Sequence, residues 1–151
     1  MVRASLVVAA AAGLAGAAVG SLSHAAQPLP APVKGVSLDY NYFKTKVQPV
    51  FLTKREGHTR CYVCHVSNNA RFHLVPLSQG AAGWNEDQSK QNFQLIQRVA
   101  IPGVADSPIV KHPLDEKAGG DPHHGGGQQF ESQNDPAWQA LKGFVMGEKA
   151  S

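Results

Sequence analysis

Cys61, Cys64 and His65 stand in the run Cys-Tyr-Val-Cys-His and include the only two cysteines of the 151-residue chain. At this spacing two thiols can add across the two vinyl groups of a haem as thioethers, while the next residue's imidazole meets the iron as proximal ligand. Three other chemistries use the same residue types. A thioredoxin-like redox pair needs a βαβ setting, and no such pattern surrounds the segment. A zinc site needs a second pair of ligands, which without further cysteines would come from distant histidines. A disulfide between the two thiols closes a very short loop and stabilises little. Export, helical architecture and the adjacent His all agree with one covalent haem c, which is the expectation preferred over the other three.

Iron held by His65 has a second face, and its occupant sets the function. Met146 is the only methionine besides Met1, and it lies at the end of an expected helix beside apolar Phe144 and Val145. His58, His73, His112, His123 and His124 are the remaining imidazoles of the mature chain. His58 and His73 are too close in sequence to the attachment motif to reach the opposite face easily. His123 and His124 lie in the run from Gly119 to Gly127, whose glycines let the backbone approach a flat ligand closely and adopt positive φ. The residues alone leave His123, His124 and Met146 open as sixth ligand.

The elements that must position these groups are helical. Apolar Tyr40, Phe43, Val47, Val50 and Phe51 follow helical spacing after an N-cap at Asp39, and Pro49 is expected to end or kink that helix. A second helix is predicted from about Glu86 to Val99, closed by Pro102-Gly103. Residues 106–129 read as an ordered loop rich in Gly, Pro and His. Asp135-Pro136 begins a last helix, to about Met146, with Trp138, Leu141, Phe144 and Val145 on one face. The first and last helices are expected to cross. No run alternates convincingly, so the predicted fold is all-α: three to four helices around one covalent haem, with a long Gly/His loop.

Residues 1–25 carry one Arg, a run rich in Ala, Val, Leu and Gly, and small residues at Ser23 and Ala25. These are the zones of a secretory signal peptide, with cleavage expected after Ala25 or Ala26; a retained anchor is the alternative. The expected organisation is a signal at 1–25, a Pro-rich leader at 26–36 and a domain at 37–148, working in a bacterial periplasm. Removing Arg3 with the signal leaves 13 basic against 11 acidic residues, too small an excess to indicate a nucleic-acid partner. With 15 glycines, 10 prolines and 7% aromatics, side chains alone make a poor core, and a large apolar cofactor would complete it.

Several further runs carry a family likeness: Val47-Gln48-Pro49-Val50-Phe51, Gln88 to Phe93, Pro102-Gly103, Ser107-Pro108-Ile109-Val110-Lys111-His112-Pro113-Leu114, the Gly119 to Gly127 loop, and Asp135 to Leu141. With Cys61 to His65, they make the stretch from Tyr42 to Val145 resemble the single-haem cytochrome c domains of the planctomycete cytochrome C type, also common in acidobacterial proteins. The resemblance implies a distal ligand at the His before the Gly-Gly-Gly run, which is His124 here. Similarity to cytochromes c also implies a carbonyl partner for His65 at Pro76 and haem packing by Leu74 and Leu77; Arg60, Arg71 and Trp84 are available for haem propionates or are ordinary solvated surface residues.

The function these readings predict is transfer of single electrons between redox partner proteins, with no small-molecule substrate. Lys44, Lys46, Lys54, Arg55 and Arg60 against Glu56 alone form a patch suited to steering an acidic partner, or a solvated face. Two alternatives remain: a haem with a displaceable sixth ligand, acting as gas sensor or peroxidase, and a haem subunit of a membrane respiratory assembly.

Overall fold

The computed structural model describes residues 28–67 and 72–151. The expected signal segment at 1–25, the first residues of the leader and Arg71 lie outside them. Along the chain come α1 (Tyr40–Tyr42), a π-helical turn (Phe43–Val47), α2 (Gln48–Leu52), α3 (Cys61–His65), α4 (Glu86–Ile96), α5 (Pro108–Lys111), a 3-10 turn (Glu116–Ala118) and α6 (Pro136–Val145). The class is all-α, as the periodicity predicts. Among the described residues the sole extended pairing is an isolated parallel bridge between Leu114 and Phe130.

Asp39 starts the first helical stretch by accepting from the Tyr42 N–H at 2.7 Å. Pro49 then poses a problem, because it has no N–H and its ring crowds the carbonyl four residues back. The chain solves it with the π turn, in which the Gln48 N–H donates to the Phe43 carbonyl five residues earlier. The helix therefore passes through Pro49 and ends at Leu52. α4 is started by a capping box, Asn85 accepting from the Gln88 N–H and Gln88 reaching back to the Asn85 N–H. It stops at Ile96, three residues before the predicted end.

Two corrections concern the stretch read as a plain loop. Residues 106–129 contain α5 and the 3-10 turn, and counting α1 to α2 as one, five helical stretches replace the expected three to four among the described residues. Ser107-Pro108 is a helix-start pair, but four residues give no apolar period to recognise. Ser107 is fully buried; its Oγ accepts from the Ile101 N–H at 2.8 Å and donates to the Val104 carbonyl at 2.8 Å, tying α5 to the turn after α4.

The core forms where the first stretch meets α6. Phe43, 5.5 Å from the Phe93 ring and 5.7 Å from the Phe144 ring, is fully buried, and Trp138, Leu141, Phe144 and Val145 are buried as predicted. The Trp138 indole donates to the Val110 carbonyl at 3.0 Å, joining α6 to α5. The leader turns at Lys34–Gly35 and is not free: the Val33 N–H donates to the Pro102 carbonyl at 2.9 Å. Gly103, at φ +74°, lies beneath it, and any side chain there would strike Val33.

Asp135 fixes the start of α6. It accepts from the Ala137 N–H at 2.8 Å and forms an ion pair with Arg55, whose guanidinium lies 4.8 Å over the Phe130 ring. Burial alone would raise this carboxyl; Arg55 and the helix N–H groups outweigh it and hold the group below the usual carboxylate range. A depressed folded pKa means the stabilisation is full above the unfolded value of about 3.9 and is lost as pH falls through the folded value. Asp135→Asn keeps a capping side chain but removes the charge. Denaturant unfolding should show it less stable than wild type by about 1–3 kcal/mol at pH 7, with the gap closing towards pH 2.5.

Candidate functional site

α3 is a single helical turn, and positions i, i+3 and i+4 of a helix share a face. That geometry brings Cys61, Cys64 and His65 together on the wall of a cavity of about 580 Å³, open on one side and lined mainly by apolar atoms. The volume falls within the range of about 300–1,000 Å³ typical of small-molecule and cofactor sites. Val50 and Phe51 of α2, Ile109 of α5 and Leu141 of α6 contribute to its walls. Both thiols are free, and burial pushes the Cys61 thiol up against the opposing effect of Arg55.

His65 is held from behind. Its Nδ1 lies 3.2 Å from the Phe72 carbonyl, and the Phe72 ring stacks on it at 4.1 Å and 21°. A carbonyl only accepts, so Nδ1 carries the proton and Nε2 keeps its lone pair for another partner. Burial lowers the pKa of His65, which favours that neutral form at pH 7. The partner expected at Pro76 is thus Phe72; the Pro76 carbonyl instead accepts from Gln88 Nε2 at 2.9 Å. Leu74 is buried in the main core, and neither it nor Leu77 is among the residues lining the cavity. A Phe seven residues after the motif carries no sequence signal for this role, because the contact is made by its backbone.

Across the cavity stands His124, its ring centre 6.3 Å from that of His65 and the two planes 27° apart. Its Nδ1 is anchored in the same way, 2.6 Å from the Gly127 carbonyl, while the Gly127 N–H donates back to the His124 carbonyl at 2.8 Å. Gln129, almost fully buried, clamps this turn by donating from Nε2 to the Gly126 and Gly127 carbonyls at 3.2 Å each. Gly126 brings this turn beside Cys64: a Cβ there would lie 3.5 Å from Cys64 Sγ, in ordinary contact. Of the sequence candidates for this face, His124 lines the cavity. His58, His73, His123 and Met146 do not, and Met146 is 45% exposed at the end of α6.

His112, another of the imidazoles available in the sequence, also lines the cavity. Its Nδ1 is 3.1 Å from Asp121 Oδ2, and its ring meets that of His124 edge to face at 5.1 Å. Arg60 and Lys111 bring cations to the wall, where a ligand's carboxylates could meet them. Trp84 does not take that role; its indole donates to the Val75 carbonyl at 2.6 Å. The basic patch is partly neutralised, since Lys44 pairs with Glu86 and Arg55 with Asp135.

One ion bonded to two imidazoles at about 2 Å, with each nitrogen about 1 Å from its ring centre, separates the ring centres by roughly 6 Å. His65 and His124 meet that spacing with both Nδ1 atoms already engaged, which directs Nε2 as the metal-binding atom. Among the described residues no three His, Cys, Asp or Glu side chains converge as a metal-holding group. Cys61, Cys64, His65, His112 and His124 thus line one largely apolar cavity. Comparison of the chain with protein-family models, with curated proteins and with solved structures gives no match.

Proposed function

We propose that this chain is an exported monohaem c-type cytochrome that passes single electrons between redox partner proteins in the periplasm. The observation that carries the proposal is the pair of imidazoles, His65 and His124, facing each other across an apolar cavity that also presents Cys61 and Cys64. Bound there, the haem supplies a one-electron ferric–ferrous couple. Cys61 and Cys64 hold it by thioethers from one face of α3. His65 and His124 would hold its iron, each kept in a fixed tautomer by a backbone carbonyl that also raises its basicity. Phe51, Phe72, Ile109 and Leu141 keep water from the ring, and the low polarity around it limits reorganisation when the charge changes.

Two imidazoles favour a lower reduction potential than imidazole with thioether, because a thioether stabilises the ferrous state. With both faces occupied by the protein, the chain carries electrons without binding a substrate at the metal. The experiment is to produce the full chain in a bacterium equipped for c-haem maturation and record oxidised and reduced spectra with and without carbon monoxide. Expected is one covalent, low-spin haem in both oxidation states that excludes carbon monoxide and titrates as a single electron. A high-spin haem that binds carbon monoxide at once would overturn the carrier reading in favour of a sensor or peroxidase. Absence of pigment would overturn the haem reading itself.

A further inference from the structure

We infer that His112 is a second distal imidazole, placed to take the sixth position whenever His124 leaves it. The inference rests on the haem reading above and concerns how that site is kept closed.

His112 and His124 line the same cavity with rings 5.1 Å apart, close enough for one imidazole to follow the other with a side-chain movement. Asp121 engages Nδ1 of His112, leaving Nε2 for another partner. A carboxylate on the far nitrogen is the arrangement that orients a ligating imidazole and increases its basicity.

The two histidines are mounted differently. His112 caps α5, its N–H donating to the Pro108 carbonyl at 3.0 Å, and α5 is fastened to α6 through Trp138. His124 belongs to a loop continued by three glycines, and its own anchor, Gly127, lies in that loop. His124 and its anchor thus move as a unit once the Gln129 amide releases their turn, while His112 stays on the α5 side. Asp121 connects them: it begins the loop segment leading to His124, its N–H reaches the Lys111 carbonyl at 3.3 Å, and its carboxylate holds His112. Movement of the loop therefore acts on the tether of the second imidazole. The expected consequence is a sixth position shared by two imidazoles, so that loss of one leaves the haem low-spin and closed to small ligands.

The test compares wild type, His112→Ala, His124→Ala and the double variant, all as the matured full chain, by ferric spectra and carbon monoxide binding. Expected is a low-spin haem in wild type and in His112→Ala, at least half low-spin haem in His124→Ala, and high-spin haem only in the double variant. If His112 fills the position more than about nine-tenths of the time in His124→Ala, its removal raises carbon monoxide affinity at least about tenfold. Asp121→Asn in the His124→Ala background loosens the tether without enlarging the cavity and should lower the low-spin fraction; no change would count against the inference. A His124→Ala protein as high-spin as the double variant overturns it, as does a double variant that stays low-spin. Either of these results leaves the covalent haem standing, whereas wild type without pigment removes the reading on which the inference rests.

Discussion

Replacing Cys61 and Cys64 together by Ser is expected to remove all pigment that survives a denaturing gel and to leave a chain without a cooperative fold. Attachment fails because a serine hydroxyl does not add to a vinyl group under the conditions in which a thiol does. The loss of fold follows from the size of the cavity. Without the group that covers them, apolar walls such as Val50, Phe51, Phe72, Ile109 and Leu141 face water, and the hydrophobic stabilisation of that surface is lost. The whole stability of a domain this size is about 5–15 kcal/mol. Haem staining and a thermal melt followed by near-ultraviolet circular dichroism check both halves: no stain, and no sharp transition. Either single variant keeps one thioether and should retain stain and a melt at reduced temperature. A double variant that melts as wild type does would mean that the protein core does not depend on a bound cofactor.

Gly120→Ala is expected to cost about 3–5 kcal/mol and to disturb the distal side of the site. A Cβ at this position would lie 1.8 Å from the Leu114 carbonyl oxygen and 2.4 Å from its carbon, contacts with backbone that no side-chain rotation relieves. The Gly120 N–H also donates to the Asp115 carbonyl at 2.9 Å, and the Asp115 N–H to the Phe130 carbonyl at 2.8 Å, so separating the strands of chain breaks this junction. Residue 121 is next, and it holds His112; His124 follows three residues later. Unfolding in denaturant measures the first effect, and a fall in the low-spin fraction of the ferric spectrum the second. Gly125→Ala is the control, because a Cβ there meets nothing within 4 Å and the stability should stay within about 0.5 kcal/mol of wild type.

The apolar faces of the first and last helices were legible because each spans enough turns for the period to repeat. Phe43, Val47, Phe51, Trp138 and Leu141 are all buried. Asp39 and Asp135 were legible as N-caps because their chemistry is local. α5 was not, since four residues show no period, and the π turn was not, since it answers a steric conflict at Pro49 rather than a pattern. At the site, Cys61, Cys64 and His65 come from one contiguous run. His124 needed the likeness of a whole loop, and only the fold separates it from His123, whose neighbouring position gives it the same sequence context. The backbone anchors at Phe72 and Gly127 could not be read at all, because any residue has a carbonyl and the fold decides which one arrives.

The docking of the leader has a consequence for the order in which the molecule is made. Val33 and Val36 rest on Gly103 and Gly147, Tyr42 Oη is 3.2 Å from Glu148 Oε2, and Lys149 Nζ is 3.8 Å from Asp39 Oδ2. The contacts with Gly147, Glu148 and Lys149 join parts of the chain more than a hundred residues apart and those with Gly103 about seventy, and pairings of such high sequence separation form late. During synthesis from the N-terminus residues 61–65 are made well before residues 143–149, so Cys61 and Cys64 belong to an unclasped chain until its far end is complete.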